Sequence, residues 1–398
     1  AQYKAMFEQA GFGSVEVFGV FDGYNRQKAV YGMHDARSRR AARKLANPPS
    51  SWKGLILRRV SNVSLWSRTL EDEVVVFGRK TFKDGRLTWQ ALPHAGPVTQ
   101  FSTGDKVFVL CFDGEPSAVF KGPKTSEAAG LLAREYEFLR EAGERAGAGS
   151  AGWPLRWPKP LGVQELEGRG FFRYEFARGG LLSGELLPVS FELDRFGGLF
   201  TRLVGDYVQL CAKMTAASGI AAGSGVDALL DSLAAAPVGD DARAARIRAA
   251  CETARRKKWG ASWTHGDLSL SNAMLQPEGG IVLIDWENAS LSGLVAIDLV
   301  RLLNDVLDDS RLLRPNSRRA ALDLAKRVVR DALERLGVGP GDYGDVEALF
   351  VAHQFRLWLS RDAGAASSSR ARELLRRCRE REFSPDVSPS RGTPVPEG

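Results

Sequence analysis

A change of residue pattern near Gly180 constrains this chain more than any other feature. Before it, short β-branched and aromatic runs recur with Gly and Asp between them, at Val74-Val75-Val76-Phe77, Val107 to Phe112 and Ala118-Val119-Phe120. Such runs favour strands joined by turns. One stretch among them has helical spacing, Ser126 to Ala142, with apolar Leu131, Leu132, Phe138 and Leu139. After Gly180 the spacing becomes helical throughout, over Phe200 to Ala217, Ala242 to Lys257, Asp298 to Leu307, Arg318 to Leu336 and Val346 to Leu359. The order predicts an α+β, bilobal fold: a β-rich lobe, then a helical lobe, with chemistry expected between them.

The flanks read differently. Ala1 to Ala10 is helix-like and stops at Gly11; strand-like runs at Val15 to Val20 and Lys28 to Tyr31 are joined through Asp22-Gly23-Tyr24-Asn25. A basic stretch, 35–51, ends in Pro-Pro-Ser-Ser and reads as a linker. Gly147 to Pro160 reads as loop, and Ser384 to Gly398 as a disordered tail. The expected divisions are an N-terminal extension with linker at 1–60, a first lobe at 61–178, a helical lobe at 179–383 and a tail at 384–398. The chain begins at Ala1 in mid-helix, as expected of a piece of something longer.

Composition narrows the classes. The 398 residues are 44% hydrophobic, enough for a sizeable core, yet no run nears the roughly 18 apolar residues that cross a bilayer. No basic-then-apolar leader pattern opens the sequence, so a cytoplasmic location is expected. Cys111, Cys211, Cys251 and Cys378 are scattered with no CxxC pair, which argues against a disulfide framework or zinc site. The net charge of +7 resides largely in Arg-rich helical stretches, Arg311 to Arg335 and Arg370 to Arg381. These read as solvated faces, and no nucleic-acid partner is expected. His34, His94 and His353 have no partners at ligand spacing and read as structural.

The chemistry concentrates in His265-Gly266-Asp267-Leu268-Ser269-Leu270-Ser271-Asn272 and in Asp285. Asp267 is a carboxylate suited to accept the hydrogen bond, and then the proton, of an attacking hydroxyl. Asn272, five residues on, offers an amide oxygen, and Asp285 follows the apolar run Ile281-Val282-Leu283-Ile284. One Asp and one Asn or Asp suffice for Mg2+, a hard cation that shares its ligands with phosphates. His265 and Gly266 would shape the loop, and Gly279-Gly280 would turn a hairpin.

The run from His265 to Asn272, followed by Ile284-Asp285-Trp286-Glu287, resembles the catalytic and metal loops of the aminoglycoside phosphotransferase and choline kinase family. The resemblance implies a protein-kinase-like fold and an ATP- and Mg2+-dependent transfer of phosphate to an alcohol. It implies Asp267 as catalytic base and Asn272 and Asp285 as magnesium ligands. Lys121, ending Ala118-Val119-Phe120-Lys121, resembles the family's ATP-phosphate lysine. Glu135 resembles its partner glutamate, with Glu137 the competing choice. Phe101 to Lys106 falls where the phosphate-covering loop belongs, so backbone amides of Thr103, Gly104 and Asp105 would meet phosphate oxygens. Arg173-Tyr174-Glu175-Phe176-Ala177 resembles the hinge whose main chain binds adenine. Asp298 resembles the aspartate that braces the catalytic loop, although a helix N-cap explains it equally well.

A non-catalytic nucleotide-binding module would be expected to lack the base or a metal ligand, and none is missing here. The acceptor implied is a hydroxyl of a small molecule or glycan. Arginine-rich C-terminal helices, with His353, Gln354 and Trp358 on one inner stretch, favour a neutral or anionic sugar-like acceptor over aminoglycosides or choline, which are cations. Met6 to Val17 and Phe21-Asp22-Gly23-Tyr24 resemble the C-terminal end of a class I S-adenosylmethionine-dependent methyltransferase. That likeness suggests an upstream methyltransferase domain in a longer chain, while an ordinary helix–strand–strand extension of the kinase explains the segment equally well; the cofactor-binding glycine loop itself is absent from this sequence.

Overall fold

Thirteen strands and seven helices follow one another in a computed structural model that describes residues 14–21, 29–32, 73–79, 98–103, 105–113, 115–146, 153–166, 168–187, 190–219, 226–236 and 241–359. The strands are β1 (Ser14–Phe21), β2 (Ala29–Gly32), β3 (Glu73–Arg79), β4 (Val98–Thr103), β5 (Lys106–Asp113), β6 (Glu115–Pro123), β7 (Pro160–Leu166), β8 (Arg169–Glu175), β9 (Gly180–Leu181), β10 (Ser262–Thr264), β11 (Ala273–Leu275), β12 (Ile281–Leu283) and β13 (Ser290–Gly293). The helices are α1 (Ser126–Ala146), α2 (Leu193–Ser218), α3 (Val226–Ala234), α4 (Asp241–Arg256), α5 (Val295–Asp309), α6 (Pro315–Arg335) and α7 (Tyr343–Leu359). The linker expected at 35–51, Gly104, Cys378 and the tail at 384–398 lie outside the described residues.

The chain divides into two compact units. The first comprises Ala1–Glu144, Trp157–Gly180 and Met274–Glu287; the second comprises Arg145–Arg156, Leu181–Ala273 and Asn288–Gly398.

In the first unit, β4 to β8 form a five-stranded antiparallel sheet in the order β4-β5-β6-β8-β7. Its inner face alternates as the sequence does: Val109, Cys111, Ala118, Phe120 and Phe171 form one cluster, with Val107 and Leu166 packed against it. A smaller sheet, β2-β1-β3, places β1 in the centre. Helix α1 starts where the Thr125 hydroxyl accepts the Ala128 N–H, and buries Leu131, Leu132, Glu135 and Leu139 along one face. The charged Glu135 on that apolar stripe is the anomaly that matters. Strands β11 and β12 meet through a turn in which Gln276 donates to Gly280 and Gly279 donates back to Gln276.

The second unit is helical. Helix α2 carries Phe196, Phe200, Leu203, Val204, Tyr207, Leu210 and Met214 on one buried face, and ends at Gly219, whose φ of 64° closes the last turn. Each such side chain contributes about 1.5–3 kcal/mol of burial. Helix α6 opens with Pro315, whose fixed φ suits a first turn. Helix α5 is buried from Val295 through Val300, so its first turn runs through the unit's interior. It begins at Val295, three residues before the sequence pattern suggested, and that shift decides the role of Asp298.

Candidate active site

In the first unit the side chain of Lys121, near the end of β6, is almost fully enclosed. Its Nζ donates to both Glu135 oxygens, at 2.7 and 2.9 Å, and Glu135 is 1% exposed. Burial works against the Lys121 charge, but Glu135 and Asp285 outweigh it and hold the ammonium above its ordinary pKa. Glu137 instead lies on the exposed face of α1, paired with Arg140. The periodicity explains the choice, because two residues along a helix is a half-turn onto the opposite side.

Glu135 has a second task. Its Oε1 accepts the Trp286 N–H at 3.0 Å, which fixes the segment after β12. The Trp286 indole N–H donates to the Leu283 carbonyl at 2.8 Å, and the ring stacks on Phe138. Asp285 is therefore delivered from a pinned turn, 3.6 Å from Lys121 Nζ and 3.9 Å from Lys106 Nζ. Its φ of 66° lies in the left-handed region. That conformation costs a non-glycine residue about 1 kcal/mol or more, and such outliers gather at functional sites.

Lys106 and Glu287 form a buried ion pair beside this group. Sequence reasoning gave neither a role, although both border segments it singled out. Asp105 sits in the turn of the β4–β5 hairpin, and its carbonyl accepts the Lys124 N–H at 2.7 Å. Thr103 ends β4, and Gly104 is outside the described residues. At the proposed hinge, the Glu175 N–H is taken by the Lys159 carbonyl at 2.8 Å and its side chain is exposed.

In the second unit the loop from His265 to Asn272 is held from beneath by one carboxylate. Asp298 Oδ2 accepts the His265 N–H at 2.9 Å, the Gly266 N–H at 3.1 Å and the Tyr207 hydroxyl. The same hydroxyl accepts the His265 N–H at 2.8 Å. Asp298 is not an N-cap: the capping position is Leu294, and Asp298 lies within the first turn. Burial pushes its carboxyl up, while Tyr207, His265 and the loop N–H groups partly offset the shift.

Gly266 takes φ of 78°, and a Cβ there would come 2.0 Å from the Asn288 carbonyl oxygen. No other residue fits. His265 is wholly buried, and its Nδ1 accepts the Asp267 N–H at 3.3 Å. Asn272 Nδ2 donates to the Asp267 carbonyl at 2.9 Å, so the amide is oriented with Oδ1 facing away.

Asp267 Oδ1 accepts from Arg301 Nε at 2.8 Å. Arg301 also lies 3.6 Å from Asp305, whose Oδ2 accepts the Leu270 N–H at 2.6 Å. Burial would discharge Arg301, but Asp267 and Asp305 outweigh it and raise its pKa. Sequence reasoning missed Arg301, Asp305 and Tyr207. A signal existed for the first two, since Asp298, Arg301 and Asp305 are spaced three and four apart and share one face of α5. Tyr207 carried none.

In the first unit Asp285 offers a carboxylate oxygen, and in the second Asn272 offers a fixed amide oxygen; each is a donor type that suits a hard cation. Among the described residues no three His, Cys, Asp or Glu side chains cluster as a self-sufficient metal site.

Comparison with known proteins places the chain. The model of the phosphotransferase enzyme family matches residues 100–334, more than half of the sequence. The chain belongs to this family. It is a small-molecule phosphotransferase with a kinase-like fold. No curated protein matches the sequence. Among solved structures, this phosphotransferase is similar to an aminoglycoside 2'-phosphotransferase in complex with GDP, at 16% identity over 74% of this chain and 95% of that one, TM-score 0.45. It is similar to a macrolide 2'-phosphotransferase from Brachybacterium faecium, at 18% identity over 71% and 92%, TM-score 0.40. It is similar also to a choline kinase from Streptococcus pneumoniae, at 13% identity over 73% and 96%, TM-score 0.41. The family match does not reach the methyltransferase-like opening, most of which lies outside the described residues. No helix among the described residues is long and apolar enough to cross a membrane.

Proposed function

We propose that this phosphotransferase moves the γ-phosphoryl group of ATP to a hydroxyl of a sugar-like small molecule, with Mg2+ as its cofactor. Lys121 places a cation against the donor phosphates, and Glu135 fixes its position. Asn272 and Asp285 hold the metal ion, which when bound offsets charge on the phosphates. Asp267 orients the acceptor hydroxyl and takes its proton as the acceptor oxygen bonds to the γ-phosphorus. The bond from that phosphorus to the bridging oxygen breaks, and ADP leaves with the electron pair. His265, Gly266 and Asp298 keep the loop in shape. Backbone amides of Thr103, Gly104 and Asp105 cover the phosphates, and the main chain at Glu175 meets the adenine.

The observation that carries the reading is the enclosed Lys121–Glu135 pair with Asp285, in a strained backbone, 3.6 Å from the ammonium. A buried ion pair is weak evidence for stability, because desolvation consumes most of its attraction. Retaining it beside a strained carboxylate makes sense where charge must be neutralised during a reaction. A net charge of +7 disfavours the cationic acceptors of related enzymes.

The test is ATP consumption in Mg2+ with sugars, amino alcohols and aminoglycosides offered in turn. Asp267→Asn keeps the side chain's shape and should lower kcat by about 10²–10⁴ while nucleotide binding persists. Undiminished phosphotransfer in that variant removes Asp267 as the base. Clear preference for an aminoglycoside overturns the charge argument.

A further inference from the structure

A cavity of about 230 Å3 opens in the second unit, flanked by α3, the catalytic loop, β13 and α7. Its polar lining includes Gly266, next to Asp267, together with Asn288, Ser290, His353 and Arg356. Asp267 lies close enough to bear on the charge of His353. The volume falls below the usual range of ligand sites, about 300–1,000 Å3, and suits a single ring or short chain rather than a multi-ring compound.

Arg356 is the unusual member. Arg195, Arg246, Arg255 and Arg301 each meet a carboxylate, at 2.8 Å for Arg195 and 3.3 Å for Arg246. The Arg356 guanidinium has only the Ser232 hydroxyl, at 3.3 Å, and no carboxylate within 4 Å among the described residues. Its surroundings desolvate it and lower its pKa, with no counter-charge acting the other way. One turn earlier on α7, His353 is 7% exposed, and its Nδ1 has no hydrogen-bond partner. The carboxylate in the lining, Asp298, is already committed to Tyr207 and two loop N–H groups. Both residues line the cavity, and a partly buried cation and an imidazole nitrogen without a hydrogen-bond partner are both costly unless a ligand completes them.

We propose that this cavity receives the phosphate acceptor and that Arg356, aided by His353, selects an acceptor bearing a carboxylate or phosphate group. The inference rests on the phosphotransfer reading and names the substrate class of that site. Asn288, Ser290 and the neutral His353 ring engage the acceptor's hydroxyls, and the guanidinium closes on its anionic group through charge-assisted hydrogen bonds.

The experiment is calorimetric titration of the intact protein with matched probes: glucuronate and glucose 6-phosphate against glucose, and glycerate against glycerol. At least one acid should bind about tenfold or more tighter than its neutral counterpart. Arg356→Gln should abolish that preference, and Arg356→Lys should restore part of it. Equal affinity for every acid and its neutral partner overturns the inference, as does a preference that survives Arg356→Gln. Binding is read without turnover, so absent phosphotransfer would refute the proposed reaction while leaving anion selection standing. Efficient phosphorylation of neutral acceptors, undisturbed by Arg356→Gln, would refute anion selection alone.

Discussion

Removing the Asp298 carboxylate tests how the loop from His265 to Asn272 is held. In Asp298→Ala, three buried donors lose their shared acceptor: the His265 N–H, the Gly266 N–H and the Tyr207 hydroxyl. An orphaned buried donor costs about 1–3 kcal/mol, which bounds the sum at roughly 3–9 kcal/mol. Three factors pull toward the lower end. The three bonds share one oxygen and do not add, the His265 N–H keeps Tyr207 as an alternative acceptor, and Asp298 lines the cavity, where water can enter. The expected loss is about 3–4 kcal/mol. Asp298→Asn retains an acceptor oxygen of the same shape and gives up a charge that burial already disfavours, so a loss of no more than about 1 kcal/mol is expected. Urea titration followed by far-ultraviolet circular dichroism, with midpoints compared at constant m-value, measures both. An alanine variant within about 1 kcal/mol of the parent would refute the reasoning. So would an asparagine variant as damaged as the alanine one, since that would make charge rather than the acceptor the decisive property.

Gly266→Ala should be as severe by a different route: a left-handed φ costs about 1–2 kcal/mol, and the added Cβ meets a backbone carbonyl that cannot rotate away. Phosphotransfer should fall by at least about tenfold even if the chain folds, and unchanged kcat would contradict the close packing at Asn288. His353 gives a pH prediction. Burial first, then the Arg356 charge, pushes its ring down to about 4. The unfolded chain therefore binds a proton near pH 6.5 that the folded chain refuses until about 4. Stability from the neutral ring is complete above about pH 6.5 and is lost as pH falls toward 4, by about 3 kcal/mol in all. His353→Gln should flatten that part of the stability–pH curve, and an identical slope in the variant would dismiss the account.

The readings that succeeded from sequence depended on residues near one another in the chain. The loop from His265 to Asn272 could be recognised because its parts lie within eight positions, and α1 because its apolar face repeats locally. What failed to show was pairing at a distance. Tyr207 is 91 residues from Asp298, and nothing in a buried tyrosine on an amphipathic helix announces a carboxylate partner. Arg301 is 34 residues from Asp267, and nothing local in the sequence links the two. The start of α5 was placed late because Val295-Ala296-Ile297 is apolar all round, without the polar interruption that gives a helix its period. His353 has no ligand-spaced partner in the sequence yet lies on an inner stretch of α7; that its Nδ1 is buried without a hydrogen-bond partner is visible only in the structure.

Glu135 Oε1 serves two donors at once, the Lys121 ammonium and the Trp286 N–H. A single carboxylate thus clasps the strand that presents the lysine and the turn that presents Asp285, with α1 as the arm that carries it. Any movement that withdraws α1 by even a few ångströms releases both together. The lysine and the turn that carries Asp285 are thus tied to one side chain, so a change at Glu135 reaches both.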